Sequence, residues 1–106
     1  MDFEWEPIRR SIREGRFTYG RHTDERRMRL GLSDDDLQQA FGIDARTELL
    51  EYYPNDVRGP SCLLLGFAGD RPLHVVCTCR PPCFLITLYQ PGLDRWLPGF
   101  RERRRR

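Results

Sequence analysis

Four runs of apolar and β-branched residues, each closed by a proline or glycine turn, constrain this chain more than any other feature. Thr47 to Tyr53 ends at Pro54-Asn55-Asp56, and Ser61 to Ala68 at Gly69-Asp70-Arg71-Pro72. Leu73 to Cys79 ends at Arg80-Pro81-Pro82, and Phe84 to Gln90 at Pro91-Gly92. Runs of this length between turn residues read as strands. Short links between successive strands favour antiparallel neighbours. The residues ahead of them follow a different period. Trp5, Ile8 and Ile12 recur at helical spacing over Trp5 to Glu14, with Pro7 in the first turn and Gly15 after the last. Phe17 to Tyr19 reads as a short extended connector. Arg21 to Leu30 is a second predicted helix, stopped at Gly31. Ser33 caps a third, which turns Leu37, Ala40 and Phe41 inward and stops at Gly42. Helices first and strands afterwards predict an α+β domain, with N-terminal helices packed on a four-stranded, mainly antiparallel sheet.

At 106 residues the chain is one domain with a modest core. A composition 39% hydrophobic and 32% charged suits a folded domain rather than a disordered one. No apolar run approaches the roughly 20 residues of a membrane span. The opening M-D-F-E-W-E lacks the apolar stretch of a signal peptide, so the expectation is a cytoplasmic protein with no membrane partner and reduced thiols. The basic residues are all arginine. They are also unevenly spread: the whole chain is +2, whereas five arginines and one glutamate make Arg101 to Arg106 strongly basic. Residues 1–100 are therefore read as the domain and 101–106 as a basic disordered tail. Such a tail either attracts phosphates or an acidic partner, or is a plain solvated terminus.

Several side chains could carry chemistry. His22 and Arg26 stand four residues apart at the start of the second predicted helix, a spacing that stacks them on one face. A proton-transfer group beside a phosphate-gripping cation is a small catalytic kit. On spacing alone, a solvated Arg-rich helix face is the commoner explanation of such a pair. His74 lies in the third predicted strand. There Leu73, Val75, Cys77 and Cys79 alternate with His74, Val76 and Thr78, so His74 points away from the core, where register decides whether Tyr89 or Gln90 joins it. Cys77, Cys79 and Cys83 with His74 offer four metal-ligand types within ten residues. Their spacing does not match zinc-finger pairs, and small core residues account for them, so no metal or other cofactor is expected.

Taken together, Y-G-R-H-T-D-E-R, G-L-S, R-G-P-S, R-P-L-H-V-V, L-Y-Q-P and Trp96 resemble a small bacterial family of unknown function related to the RelE and BrnT toxins. Members of that family often lie in operons beside a YgiT-type zinc-finger protein. The resemblance runs from about Phe17 to Trp96. His22, Arg26, Gly31 and Ser33 match its helical signature; Arg58, Gly59, Pro60, His74, Val75, Tyr89, Pro91 and Trp96 match its sheet portion. Arg27 and Leu30 depart from the pattern and inherit no role, and the cysteines lie outside it. The resemblance implies a RelE/BrnT-like fold and a type II toxin that acts as a metal-independent endoribonuclease on mRNA, with a cognate antitoxin, a zinc-finger protein being one candidate. Under that reading one histidine of His22 and His74 is base and the other acid in attack of a 2′-hydroxyl on the adjacent phosphate. Arg26 and Arg58 stabilise the phosphorane charge, and Tyr89 positions the phosphate or stacks on a base. A non-enzymatic RNA- or protein-binding module, which needs only the basic face, is the alternative. A small metal-binding protein built on Cys77, Cys79, Cys83 and His74 is the third reading.

Overall fold

A computed structural model describes residues 3–105. It is an α+β domain with three α-helices and a five-stranded mixed sheet among the described residues. The elements are α1 (Glu6–Arg13), β1 (Phe17–Tyr19), α2 (Arg21–Arg29), α3 (Asp34–Gln38), β2 (Glu48–Tyr53), β3 (Ser61–Ala68), β4 (Arg71–Thr78) and β5 (Cys83–Tyr89). A single π-helical turn, Gln39–Ile43, continues α3. None of the helices is long and apolar enough to cross a membrane.

The strand order is β1-β5-β4-β3-β2. From β2 to β5 the strands form the antiparallel meander that the turns dictate. The fifth strand corrects the four-stranded expectation. Phe17–Tyr19 is not a connector: it pairs in parallel with β5, Phe17 opposite Cys83 and Tyr19 opposite Leu85. Three residues are too few to show an alternation, and their partner lies more than sixty positions away. Phe17 and Tyr19 share the core side of the sheet with Cys83 and Leu85, and both pack against the core.

That core lies between one sheet face and the helices. Ile8 and Ile12 of α1 and Leu37, Ala40 and Phe41 of the α3 region meet Cys62, Leu64, Leu73, Val75, Cys77, Leu85 and Leu88, all essentially buried. Ser33 and Asp36 form a reciprocal capping box that starts α3: the Asp36 N–H donates to Ser33 Oγ at 3.1 Å, and the Ser33 N–H donates to Asp36 Oδ2 at 2.8 Å. Arg9 closes the π-helical turn by donating to the carbonyls of Gly42 at 3.0 Å, Ile43 at 3.1 Å and Asp44 at 2.8 Å. These bonds satisfy carbonyls that a helix end leaves orphaned. Thr23, buried in α2, donates its hydroxyl to the Ile86 carbonyl at 3.1 Å and so pins α2 to the outer edge of β5.

The opposite face of the sheet is covered by the chain itself. Register puts Glu48, Leu65, His74 and Tyr89 in one row across four strands. Glu51, Leu63 and Val76 form part of the next row. Leu63 and Leu65 are buried there, outside the main core cluster. A small hairpin lies over them. Trp96 bridges Arg103; the Leu97 N–H donates to the Glu102 carbonyl at 2.8 Å, and the Arg104 N–H to the Arg95 carbonyl at 2.8 Å. Arg101, Arg103 and Arg104, which the sequence assigns to a disordered tail, therefore have defined partners. Arg106 lies outside the described residues. The reason is tertiary: Glu48 and Glu51, some fifty positions away, receive Arg101 and Arg103.

Candidate functional site

The geometry centres on His74, which is fully buried on the hairpin-covered face. Its Nε2 lies 2.9 Å from the Phe100 carbonyl and its Nδ1 lies 3.0 Å from the Tyr89 hydroxyl. A carbonyl only accepts, so Nε2 carries the proton and the bare Nδ1 accepts from the Tyr89 O–H. Burial pushes the His74 pKa below its ordinary value and Arg103 pushes the same way. The Phe100 carbonyl and the Glu51 charge counter this only in part. The ring is thus a neutral acceptor with one defined tautomer. Trp96 stands edge-on to it at 4.3 Å between ring centroids, and the Arg103 guanidinium sits 4.9 Å from the Trp96 ring centre.

Around this pair is a half-buried polar cluster. Tyr53 and Arg103 both donate to Glu51. Burial pushes the Glu51 carboxyl up, but those two bonds and the Arg103 charge outweigh it and leave the group below its ordinary value. Burial raises the Tyr89 hydroxyl, with Arg103 pulling it down and Glu51 pushing it up, so Tyr89 keeps its proton at neutral pH.

Tyr89 also lines a groove of about 710 Å³, formed with Trp96, Asp94, Arg95, Arg103, Arg104 and Arg105. Four arginines against one aspartate make it strongly cationic, and Tyr89 and Trp96 give it an aromatic wall. Arg95 and Arg105 form no ion pair among the described residues.

Of the residues singled out in the sequence, His74 and Tyr89 come together. Register selects Tyr89 rather than Gln90, because Tyr89 stands directly opposite His74. His22 is exposed on α2 and Arg26 half-buried there, and neither lines the groove. Arg58 sits in the β2–β3 loop, where its N–H donates to Asp56 at 3.1 Å. That loop adjoins Ser61 and Thr78, four residues along β4 from His74, or roughly 13 Å at the rise of a strand. The sequence reading missed Glu51, Tyr53, Trp96 as a ring partner, and Arg103. Two glutamates inside a strand-like run, and a Pro98-Gly99 turn between Trp96 and the arginines, were the available signals.

The cysteines form a separate cluster. Cys77 and Cys62 are buried in the core with their sulfurs 3.8 Å apart; Cys79 is half-buried. Burial, then the neighbouring Cys62 sulfur, pushes the Cys79 thiol up to about 12, which removes the most accessible cysteine as a nucleophile at neutral pH. Among the described residues no group of three or more His, Cys, Asp or Glu side chains is placed to hold a metal ion.

The buried neutral imidazole has a measurable consequence. An unfolded histidine takes up a proton near pH 6.5, whereas His74 in the fold does so lower. The stabilisation is complete above that ordinary value and is lost as pH falls through and below it, because the unfolded state binds the proton first. Urea titrations from pH 8 to pH 5 are expected to show stability falling below about pH 6.5 with a slope of up to ~1.4 kcal/mol per pH unit, while His74→Gln stays flat over that range. An equal slope in the variant assigns the loss to another group.

Residues 6–90 match the model of a family described as Domain of unknown function (DUF4258). No curated protein and no solved structure matches the chain.

Proposed function

The chain belongs to the DUF4258 family, and from that premise we propose that it is a RelE/BrnT-like toxin, a metal-independent endoribonuclease acting on mRNA. One observation carries the reading: a hydroxyl hydrogen-bonded to a neutral histidine opens onto an arginine-lined groove. A phosphodiester in the groove meets Arg95, Arg104 and Arg105, which balance the charge that grows on the phosphorane. The Tyr89 oxygen accepts the proton of the attacking 2′-hydroxyl while its own proton passes to His74 Nδ1. The 2′-oxygen bonds to phosphorus and the bond to the 5′-oxygen breaks. The leaving oxygen takes a proton from groove water. The products are a 2′,3′-cyclic phosphate and a free 5′-hydroxyl.

His22 and Arg26 enter this reading as an RNA contact on α2, and Arg58 as a second contact at the far end of the sheet. A cognate antitoxin, with a zinc-finger protein as the candidate, follows from the same resemblance, and the reading places the protein in the cytoplasm.

The complete burial of His74, with both nitrogens engaged, favours a second reading: an RNA-binding module that performs no chemistry. Incubation of purified protein with a defined single-stranded RNA separates the two. Cyclic-phosphate ends support the nuclease. Retention of intact RNA, with and without ribosomes, moves the conclusion to the binding module.

A further inference from the structure

On its Nε2 side His74 faces the outer limb of the hairpin, Phe100 to Arg105, whose Phe100 carbonyl lies 2.9 Å away. This limb lies beyond the residues that the family model matches. Its hold is slight. Arg101 reaches Glu48 at 2.5 Å and Arg103 reaches Glu51, and both arginine side chains remain more than half exposed, at 55% and 56%. Exposed pairs of this kind are screened by water and exchange readily for other anions. Arg101 to Arg105 are all exposed along the limb. By contrast, the inner limb is anchored by Trp96, which is buried over His74. Phe100 itself is held at φ 60°, a left-handed conformation that a bulky residue rarely adopts, and in it the carbonyl meets His74 Nε2.

We propose that Phe100–Arg105 is a strap that covers the Nε2 edge of His74 in the resting protein, and that single-stranded RNA releases it by taking Arg101 and Arg103 from Glu48 and Glu51. This rests on the reading of the groove as an RNA site. The same arginines serve in both states. Latched, they neutralise two glutamates of β2; released, they bind phosphates along the groove. Release also withdraws the Phe100 carbonyl, so His74 Nε2 faces the groove. Trp96 stays seated, so Leu63 and Leu65 remain covered.

The His74 Nε2–H proton reports the latch directly. Held against the Phe100 carbonyl in a buried site, it exchanges slowly with water and gives a downfield resonance in protein labelled with 15N-histidine. His22 is exposed and without a hydrogen-bond partner among the described residues, so its ring N–H exchanges too fast to interfere. In the full chain, Glu48→Gln with Glu51→Gln should raise the Nε2–H exchange rate at least tenfold or remove the resonance. Saturating 2′-O-methyl oligoribonucleotide, which cannot be cleaved, should do the same to the wild type. A resonance unchanged in the double variant, unchanged under bound RNA, or an RNA that does not bind overturns the strap. The nuclease reading fails separately: a strap that opens on RNA in a protein producing no cleaved ends leaves the strap standing and removes the chemistry. Cleavage with the Nε2–H still protected removes the strap and leaves the chemistry.

Discussion

Gly66→Ala is expected to be among the most damaging single substitutions in this domain. Gly66 lies in the buried middle of β3, and a methyl group there would stand 2.4 Å from the Ala40 carbonyl oxygen and 2.7 Å from a Phe41 ring carbon. Neither separation is tolerable. The first is the harder to relieve, because the oxygen belongs to the backbone of the π-helical turn, where Arg9 and Thr47 hold the neighbouring groups. The Thr47 hydroxyl itself donates to that carbonyl at 2.8 Å. Overpacking a rigid site by one carbon typically costs 1–3 kcal/mol, and a backbone clash belongs at or above the top of that range, about 3 kcal/mol or more. A domain of this size is stable by roughly 5–15 kcal/mol, so the substitution consumes a large share. Urea denaturation measures it. Phe41→Leu in the same chain clears the ring but not the carbonyl, so it should recover little. Full recovery in the double variant, or a Gly66→Ala protein as stable as wild type, would show that the turn moves away from the sheet more easily than its hydrogen bonds suggest.

The same glycine marks where sequence reasoning stops. The Ser33 cap, the stop at Gly42, the proline and glycine turns and the alternation of Leu73 to Cys77 are local signals, and each corresponds to an element or a face in the structure. Gly42, however, does more than end a helix. A methyl group there would meet the Arg13 backbone at 2.6 Å, so the glycine permits α1 to lie close against the turn. Close approach of two distant segments leaves no local trace beyond the glycine itself. β1 was hidden for the same reason: its partner, β5, is remote and parallel, and three residues show no period.

The site divides along the same line. That His74 faces away from the helices follows from alternation, and its partner Tyr89 from register, which the sequence narrows to two neighbours. The groove does not follow. It depends on the chain turning at Pro98-Gly99 and returning, and on Glu48 and Glu51 receiving arginines that composition alone assigns to a disordered tail. Charge runs read as solvated unless an acidic counterpart is known to face them, and only the fold brings β2 beneath Arg101 and Arg103. His22 and Arg26 show the converse. Their helical spacing is real, since both stand on α2, but spacing within one helix does not carry them to a groove built from β5 and the C-terminal hairpin.

Tyr89→Phe is expected to reduce RNA cleavage by roughly 10²–10⁴-fold, the usual contribution of one proton-transfer group. The substitution removes one oxygen and keeps the ring, so groove shape and base stacking persist and RNA affinity should change little. His74→Gln should cost a similar factor, because it leaves Tyr89 without an acceptor for its proton. The double variant should be no worse than either single one, since the two act as one relay. The pH profile separates this relay from a two-histidine mechanism. With His74 as the terminal acceptor the rate is lost on the acid side, as the ring protonates below its ordinary value of 6.5. No alkaline limb appears near neutrality, because burial raises the Tyr89 hydroxyl above its ordinary 10.0. If His22 acted as the acid, the rate would also fall on the alkaline side and the profile would be a bell, and His22→Ala would lose as much as Tyr89→Phe. Initial rates on a short RNA with one cleavable linkage, taken from pH 5 to pH 9 for the wild type and the four variants, measure both quantities. A bell-shaped wild-type profile with an unimpaired Tyr89→Phe would transfer the chemistry from the groove to α2.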